Sequence, residues 1–349
     1  MSFEPQQNAT TTGHRIGHVD LDREVFIIAE IGNNHEGDPK LAAAMIELAA
    51  EAGAHAVKFQ SIEPEKLVSP QQKERVAQLK RFQLSSDDVA NLAKLARSKG
   101  LVFLSTPFHL AAIDALDPLV PAFKVASGDN EFLPMLEKIA VTGKPVLMSC
   151  GLADLTTIEA SQEVIRRVWR GRGHGAFIAL LHCVSSYPTP PEEANLLAIQ
   201  TLSGIADVVG YSDHTLGIEA AVAATALGAR IIEKHFTLDK NHSDFRDHQL
   251  SSDPEELRLL CERVTLVNLM LGDGLKRQMP CEASLLKAAK RSIAAAHDLP
   301  AGAVLTAADI TWLRPGGGIP PGGESAVIGQ RLRRGVQAGH ILHLEDFGK

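Results

Sequence analysis

Eight short runs rich in Val, Ile, Leu and Phe recur along the chain, each followed by a longer stretch with the spacing of an amphipathic helix. They are 25–31 (VFIIAEI), 55–60 (HAVKFQ), 101–105 (LVFLS), 122–126 (AFKVA), 145–149 (PVLMS), 176–182 (AFIALLH), 206–210 (ADVVG) and 229–235 (ARIIEKH). Between them lie segments such as 40–52 (KLAAAMIELAAEA) and 86–98 (SDDVANLAKLARS), with apolar residues at i, i+3, i+4 and i+7. Gly53, Gly100, Gly143 and Gly228 follow such segments, where a left-handed C-cap is wanted. Near-continuous apolar strands alternating with helices predict a parallel sheet buried on both faces. Eight units closing on themselves make an α/β fold of the (β/α)8 TIM-barrel type; six or fewer would have predicted a doubly wound sheet.

After residue 272 the texture changes. GDGLKRQMP (272–280) reads as a connecting segment, a basic helical stretch (284–291, SLLKAAKR) follows, and the tail is rich in Gly and Pro. The tail repeats itself: Ala301-Gly302, Leu305 and Asp309-Ile310 return 37 residues later as Ala338-Gly339, Leu342 and Asp346-Phe347. Two copies of AG-x-x-L-x-x-x-D-apolar predict a small pseudo-symmetric β-rich module, too short for a generous core of its own. The expected organisation is a flexible N-terminus over 1–15, a barrel over 16–280, a linker over 281–290 and the small module over 291–349. A formal charge of −7 argues against a broad nucleic-acid footprint. Four widely spaced cysteines suit reduced thiols in a cytoplasm. The start carries no signal-peptide core, and no apolar stretch approaches a membrane span.

In a barrel of this kind, chemistry sits at the carboxyl ends of the strands. Those ends carry Glu30, Lys58 with Gln60, Ser105-Thr106, Lys124 with Ser127, Ser149, Ser185 with Tyr187, Ser212 with His214, and Glu233 with His235. Residues i and i+2 of a strand share a face, so Glu30 ends the apolar stripe of Phe26 and Ile28. His214 and His235 end neighbouring strands, with Asp213 and Glu233 beside them. Two imidazoles without cysteine suit a divalent cation whose shell is completed by oxygen, Mn²⁺ first, then Co²⁺ or Mg²⁺, rather than structural zinc. Lys58 and Lys124 amid hydroxyls suit an anionic ligand carrying phosphate and carboxylate, or else structural pairing with Glu30 and Glu233. The loops ASGD (126–129) and SCG (149–151) add backbone N–H groups beside serines.

At these same residues the chain resembles the sialic acid synthase family, the phosphoenolpyruvate-dependent nonulosonate synthases. The matching stretches are AEIGNNHEGD (29–38), AGAHAVKFQ (52–60), STPF (105–108), FKVASGD (123–129), KPVLMSCG (144–151), LHCVSSYPTP (181–190), GYSDHTLG (210–217) and ARIIEKHFTLD (229–239). Residues 291–319 resemble the family's SAF, or antifreeze-like, domain. The resemblance implies condensation of phosphoenolpyruvate with an N-acetylmannosamine-type aldose to give a nine-carbon 2-keto acid and phosphate. It implies His214 and His235 as metal ligands. Thr106, Lys124, Ser127, Ser149, Ser185 and Ser212 are implied as phosphoenolpyruvate contacts. Lys58, Gln60, Tyr187, Glu233 and Asp247 are implied as sugar contacts or organisers, and Glu30 as the catalytic carboxylate. Arg314, in WLRPGGGI, is implied to reach the sugar in the partner's barrel of a domain-swapped homodimer.

Two departures fall on the sugar side. Residues 61–84 look shorter than in many N-acetylneuraminate synthases, and NHSDFRDHQ (241–249) replaces the more usual PDHK pattern, bringing Phe245 and Arg246 to the mouth. The acceptor is therefore left open between N-acetylmannosamine, a 2,4-diacetamido-trideoxyhexose of the legionaminic or pseudaminic type, and N-acetylmannosamine 6-phosphate. A non-catalytic polymer-binding protein is the remote alternative.

Overall fold

The structure, a computed structural model, describes residues 13–348. It divides into two compact units, Met1–Gly272 and Asp273–Lys349. The expectation of a flexible N-terminus falls outside the described residues up to residue 12; residues 13–15 lead into a hairpin of β1 (Arg15–Ile16) and β2 (Val19–Asp20).

Each apolar run of the first unit forms a strand: β3 (Phe26–Gly32), β4 (Ala56–Ser61), β5 (Val102–Pro107), β6 (Phe123–Val125), β7 (Val146–Ser149), β8 (Ile178–Cys183), β9 (Val208–Asp213) and β10 (Ile231–His235). The parallel ladder runs β5-β4-β3-β10-β9-β8-β7-β6, and its two end strands lie against each other, so the sheet curls into a TIM-like barrel. Helices between the strands start on side-chain caps where the sequence supplies them, as at Asp38, Ser85, Asp154 and Asp253.

Strand parity builds two cores. Ile27, Ala29 and Ile31 of β3 face the helical shell and join one apolar cluster. Phe26 and Ile28 face the lumen with Ala56, Leu104, Leu147, Ala179, Leu181 and Ile231. Ile16, Val19 and Leu21 of the hairpin belong to this second cluster, so the N-terminal segment closes the floor of the lumen. One step further up each strand the lumen side turns polar, and the site begins there.

In the second unit, β11 (Ser292–Ala295) pairs antiparallel with β12 (Ile310–Leu313). The sequence repeat is a repeat of local geometry. Gly302 and Gly339 both adopt left-handed backbone, with φ +83° and +81°. One-turn helices Ala307–Asp309 and Leu344–Asp346 follow, and in each the final Asp accepts the backbone N–H three residues earlier, of Thr306 and of His343. The stretch expected as a linker contains a helix, Ala283–Ala289, whose Lys287 carbonyl accepts the Gly316 N–H at 2.7 Å. Among the described residues no helix is long and apolar enough to cross a membrane.

Candidate active site

Register sets the floor of the site. Glu30 on β3 stands beside Lys58 on β4, and Glu233 on β10 stands beside Ser212 on β9. With Lys124 of β6 and Ser149 of β7, these lumen-facing groups are all at most 5% exposed. The Lys58 ammonium lies 2.9 Å from Glu30 Oε2 and 3.6 Å from Glu233 Oε2, and donates to the Thr106 hydroxyl at 3.1 Å. The Lys124 ammonium donates to the Ser149 hydroxyl at 2.6 Å and lies 3.6 Å from Glu233 Oε1. Ser212 donates to the same Glu233 oxygen at 2.9 Å.

This packing separates the four ionisable groups. Burial alone would push Glu233 up, but the Lys124 and Lys58 charges and the Ser212 hydroxyl hold it at about 2. Glu30 moves the other way: burial raises it, Lys58 offsets part of that, and the Glu233 charge adds to the rise. Burial also works against the Lys58 charge, yet Glu233 and Glu30 keep Lys58 above its ordinary value. Burial, reinforced by Lys58, lowers Lys124 despite Glu233. The two lysines therefore hold Glu233 below the ordinary carboxylate range, while burial and the Glu233 charge move Glu30 above it.

Beside Lys124 lies a polar cradle. The Gly151 N–H donates to Ser127 Oγ at 3.2 Å, and Ser185 Oγ is buried without a partner. A Cβ at Gly151 would meet Ser185 Oγ at 2.4 Å and Ser127 Oγ at 2.7 Å, so only glycine leaves room between the two hydroxyls. Asn130 fixes this loop by donating to the Gly151 carbonyl at 2.9 Å. A buried hydroxyl without a partner, beside a second serine, suits an oxyanion.

The two imidazoles come together. The His214 and His235 ring centroids are 5.5 Å apart, and both rings are buried. Nδ1 of His214 is 2.8 Å from the Val184 carbonyl, which can only accept, so Nδ1 carries the proton and Nε2 keeps its lone pair. His235 Nδ1 is buried without a partner, and burial, reinforced by the Lys58 charge, drives this ring well below its ordinary pKa. Two neutral-capable imidazoles suit a divalent cation. Among the described residues no group of three or more His, Cys, Asp or Glu side chains forms a metal cage, so oxygen from water or substrate would complete the shell. One expectation is corrected here. Asp213 does not face the histidines: it follows Ser212 on β9, points into the shell and is held by Lys234 at 2.8 Å.

Above the floor the walls come from loops. Asn33 donates to Gln60 Oε1 at 2.9 Å, and Gln60 donates to Glu30 Oε1 at 3.1 Å. The Tyr187 ring sits 4.1 Å from that of His214, and the Arg246 guanidinium lies 5.0 Å from the Tyr187 ring and 3.2 Å from the Asp247 carboxylate. Phe82 and Phe245 pack at 4.7 Å. All these groups border one cavity of about 420 Å³.

The site residues expected from sequence border this cavity except Arg314, which is exposed in the second unit, and Ser105 and Asp213, which parity sends to the shell, Ser105 with its hydroxyl 2.9 Å from that of Ser61. Sequence reasoning missed Cys183, which strand parity would have found, since it follows Leu181 on the lumen face of β8. It also missed Arg75, Leu79 and Phe82. They lie in the segment 61–84 that reads as shorter than in many N-acetylneuraminate synthases, and the helix Lys73–Phe82 brings them to the cavity.

The model described as NeuB family matches residues 45–276, and that of the SAF domain matches residues 290–348. An N,N'-diacetyllegionaminic acid synthase of Campylobacter jejuni is 39% identical over 312 residues, covering 85% of this chain and 92% of that protein. An N-acetylneuraminate-9-phosphate synthase of Homo sapiens is 34% identical over 324 residues, covering 88% of each. The solved structure of an N-acetylneuraminic acid synthetase from Leptospira borgpetersenii, in complex with citrate, shares a TM-score of 0.73 and 35% identity over 78% of this chain and 95% of that one.

Proposed function

The chain belongs to the NeuB family, and from that premise we propose that it condenses phosphoenolpyruvate with a 2-acetamido aldose of the mannosamine type, releasing phosphate and a nonulosonic acid. The observation that carries this reading is the convergence of Lys58, Lys124, the cradle hydroxyls of Ser127 and Ser185 and two imidazoles on one cavity. Relatives named as synthases of legionaminic and neuraminic acids support the product class.

In this proposal the lysines and the cradle balance the carboxylate and phosphate of the enol ester and hold its C3 toward the aldehyde. C3 bonds to the aldehyde carbon, water adds at C2, and the C2–O bond breaks so that phosphate leaves with the bridging oxygen. Glu30 moves a proton in this sequence, to the new sugar oxygen or from the attacking water, with Gln60 fixing one of its oxygens. Glu233 stays ionised and holds both ammonium groups in place. A divalent cation, Mn²⁺ first, would be held by His214 and His235; when bound it supplies a Lewis acid for the acceptor's carbonyl oxygen. Arg314 acts from the second copy of a homodimer. Mixing Arg314→Ala with His235→Ala chains should then restore part of the activity each lacks alone, and no recovery would place Arg314 within its own chain's site.

Among acceptors, a 2,4-diacetamido-trideoxyhexose is favoured by the apolar Leu79, Phe82 and Phe245 on the cavity wall, which suit a deoxy methyl and a second acetyl group. The test is labelled phosphoenolpyruvate with Mn²⁺ and a panel of this sugar, N-acetylmannosamine and its 6-phosphate, scored by product mass and phosphate release. The diacetamido sugar should give the highest kcat/KM. Preference for the 6-phosphate would transfer the acceptor role to Arg75 and Arg246, and no phosphate release with any aldose would end the proposal.

A further inference from the structure

Residues facing the shell from barrel strands are ordinarily apolar, as Ile27 and Ala29 are here. β9 and β10 break this rule at one register step. Lys234 stands opposite Asp213, their side chains are 1% and 0% exposed, and Nζ to Oδ2 is 2.8 Å. A buried ion pair of this kind is seldom a net gain in stability over a well-packed apolar pair. Its bonding points to another use. Asp213 Oδ1 accepts both the backbone N–H and the hydroxyl of Thr215 at 2.8 Å, while Lys234 donates also to the Thr215 carbonyl at 2.5 Å. The network thus grips the chain on both sides of His214, at 213 and 215, from a residue whose own neighbours are Glu233 and His235. Because parity sends Lys234 outward and His235 inward, one shell-side clamp fixes two lumen-side rings 5.5 Å apart.

We infer that the Asp213–Lys234 pair is a positioning device that presets His214 and His235 for a divalent cation, an inference that rests on the metal role proposed above. The pair touches neither substrate nor metal; it acts through the backbone that carries both ligands, as outer groups commonly do around metal ligands.

Mn²⁺ binding to the full chain, followed by electron paramagnetic resonance without substrates, tests it alongside thermal unfolding and phosphoenolpyruvate binding without metal. Lys234→Met should weaken Mn²⁺ binding about 10- to 100-fold. Metal-free phosphoenolpyruvate binding should stay within about threefold, because Lys124 and the cradle are anchored on other strands. Lys234→Arg should recover part of the Mn²⁺ affinity. Should Lys234→Met fail to fold, the neutral pair Asp213→Asn with Lys234→Gln carries the test, with weakened Mn²⁺ binding again expected. Wild-type Mn²⁺ affinity in any folded variant lacking the charge pair overturns the clamp. So does loss of the fold in the neutral pair, which would make these residues fold determinants only. A wild-type chain that binds no Mn²⁺ instead removes the metal role itself, and the clamp with it.

Discussion

The floor and the walls of the cavity are built on different principles. The floor groups Glu30, Lys58, Lys124, Ser149, Ser212 and Glu233 stand on strands, are almost fully buried, and hold one another through bonds of 2.6 to 3.6 Å. The wall groups Arg75, Tyr187, Phe245 and Arg246 come from loops and short helices, and the two arginines are exposed. Strands fix chemistry to within fractions of an ångström, whereas loops change length and composition without disturbing the barrel. For the reaction proposed above, the difference puts the chemistry on the floor and the choice of acceptor on the walls.

The sharpest way to break that division is to remove a floor charge. Lys58→Met takes the ion-pair partner from buried Glu30 and leaves Glu233 with Lys124 alone, and should destabilise the barrel unit by about 3–5 kcal/mol while abolishing turnover. Urea unfolding at neutral pH measures this; a loss below 1 kcal/mol would mean the floor is not held by its charges.

A second test concerns the loop after β3. His35 is buried, Nδ1 accepts the Gly37 N–H at 3.0 Å and Nε2 has no partner. Burial pushes its pKa from 6.5 down to about 4. Because the folded pKa is the lower one, its contribution is complete above pH 6.5 and is lost as pH falls toward 4, on the order of 3 kcal/mol in all. His35→Gln should flatten the fall in stability between pH 6.5 and 4; an unchanged slope would assign it to other groups.

Gly151→Ala should separate donor from acceptor. Its Cβ would crowd both cradle hydroxyls, so KM for phosphoenolpyruvate should rise about 10- to 100-fold with the aldose KM within about threefold. A matching rise in the aldose KM would merge the two halves of the cavity. The smallest effect is expected at the walls. Phe245→Ala loses its 4.7 Å contact with Phe82, and the aldose KM should rise about fivefold with that for phosphoenolpyruvate unchanged.

The same division governs what could be seen in the sequence. Floor residues were legible because a strand has a period of two: Glu30 continues Phe26 and Ile28, and His235 continues Ile231 and Glu233. Asp213 is next to His214 along the chain yet not beside it in space, because parity sends it away from Ser212 and His214. Arg75 and Phe82 carry no such periodic mark. Their approach to the cavity depends on how residues 61–84 fold back over the mouth, which only the packing of helix Lys73–Phe82 reveals. The pairing of Tyr187 with Arg246 likewise joins two loops 59 positions apart in the chain.

The central claim is that the floor brings an enol ester to the point where water enters at its C2 carbon. Phosphoenolpyruvate labelled with ¹⁸O at the bridging position, turned over with a 2-acetamido aldose and analysed by mass spectrometry, tests it most directly. The account predicts that all of the label leaves with phosphate; label retained in the keto acid would contradict it.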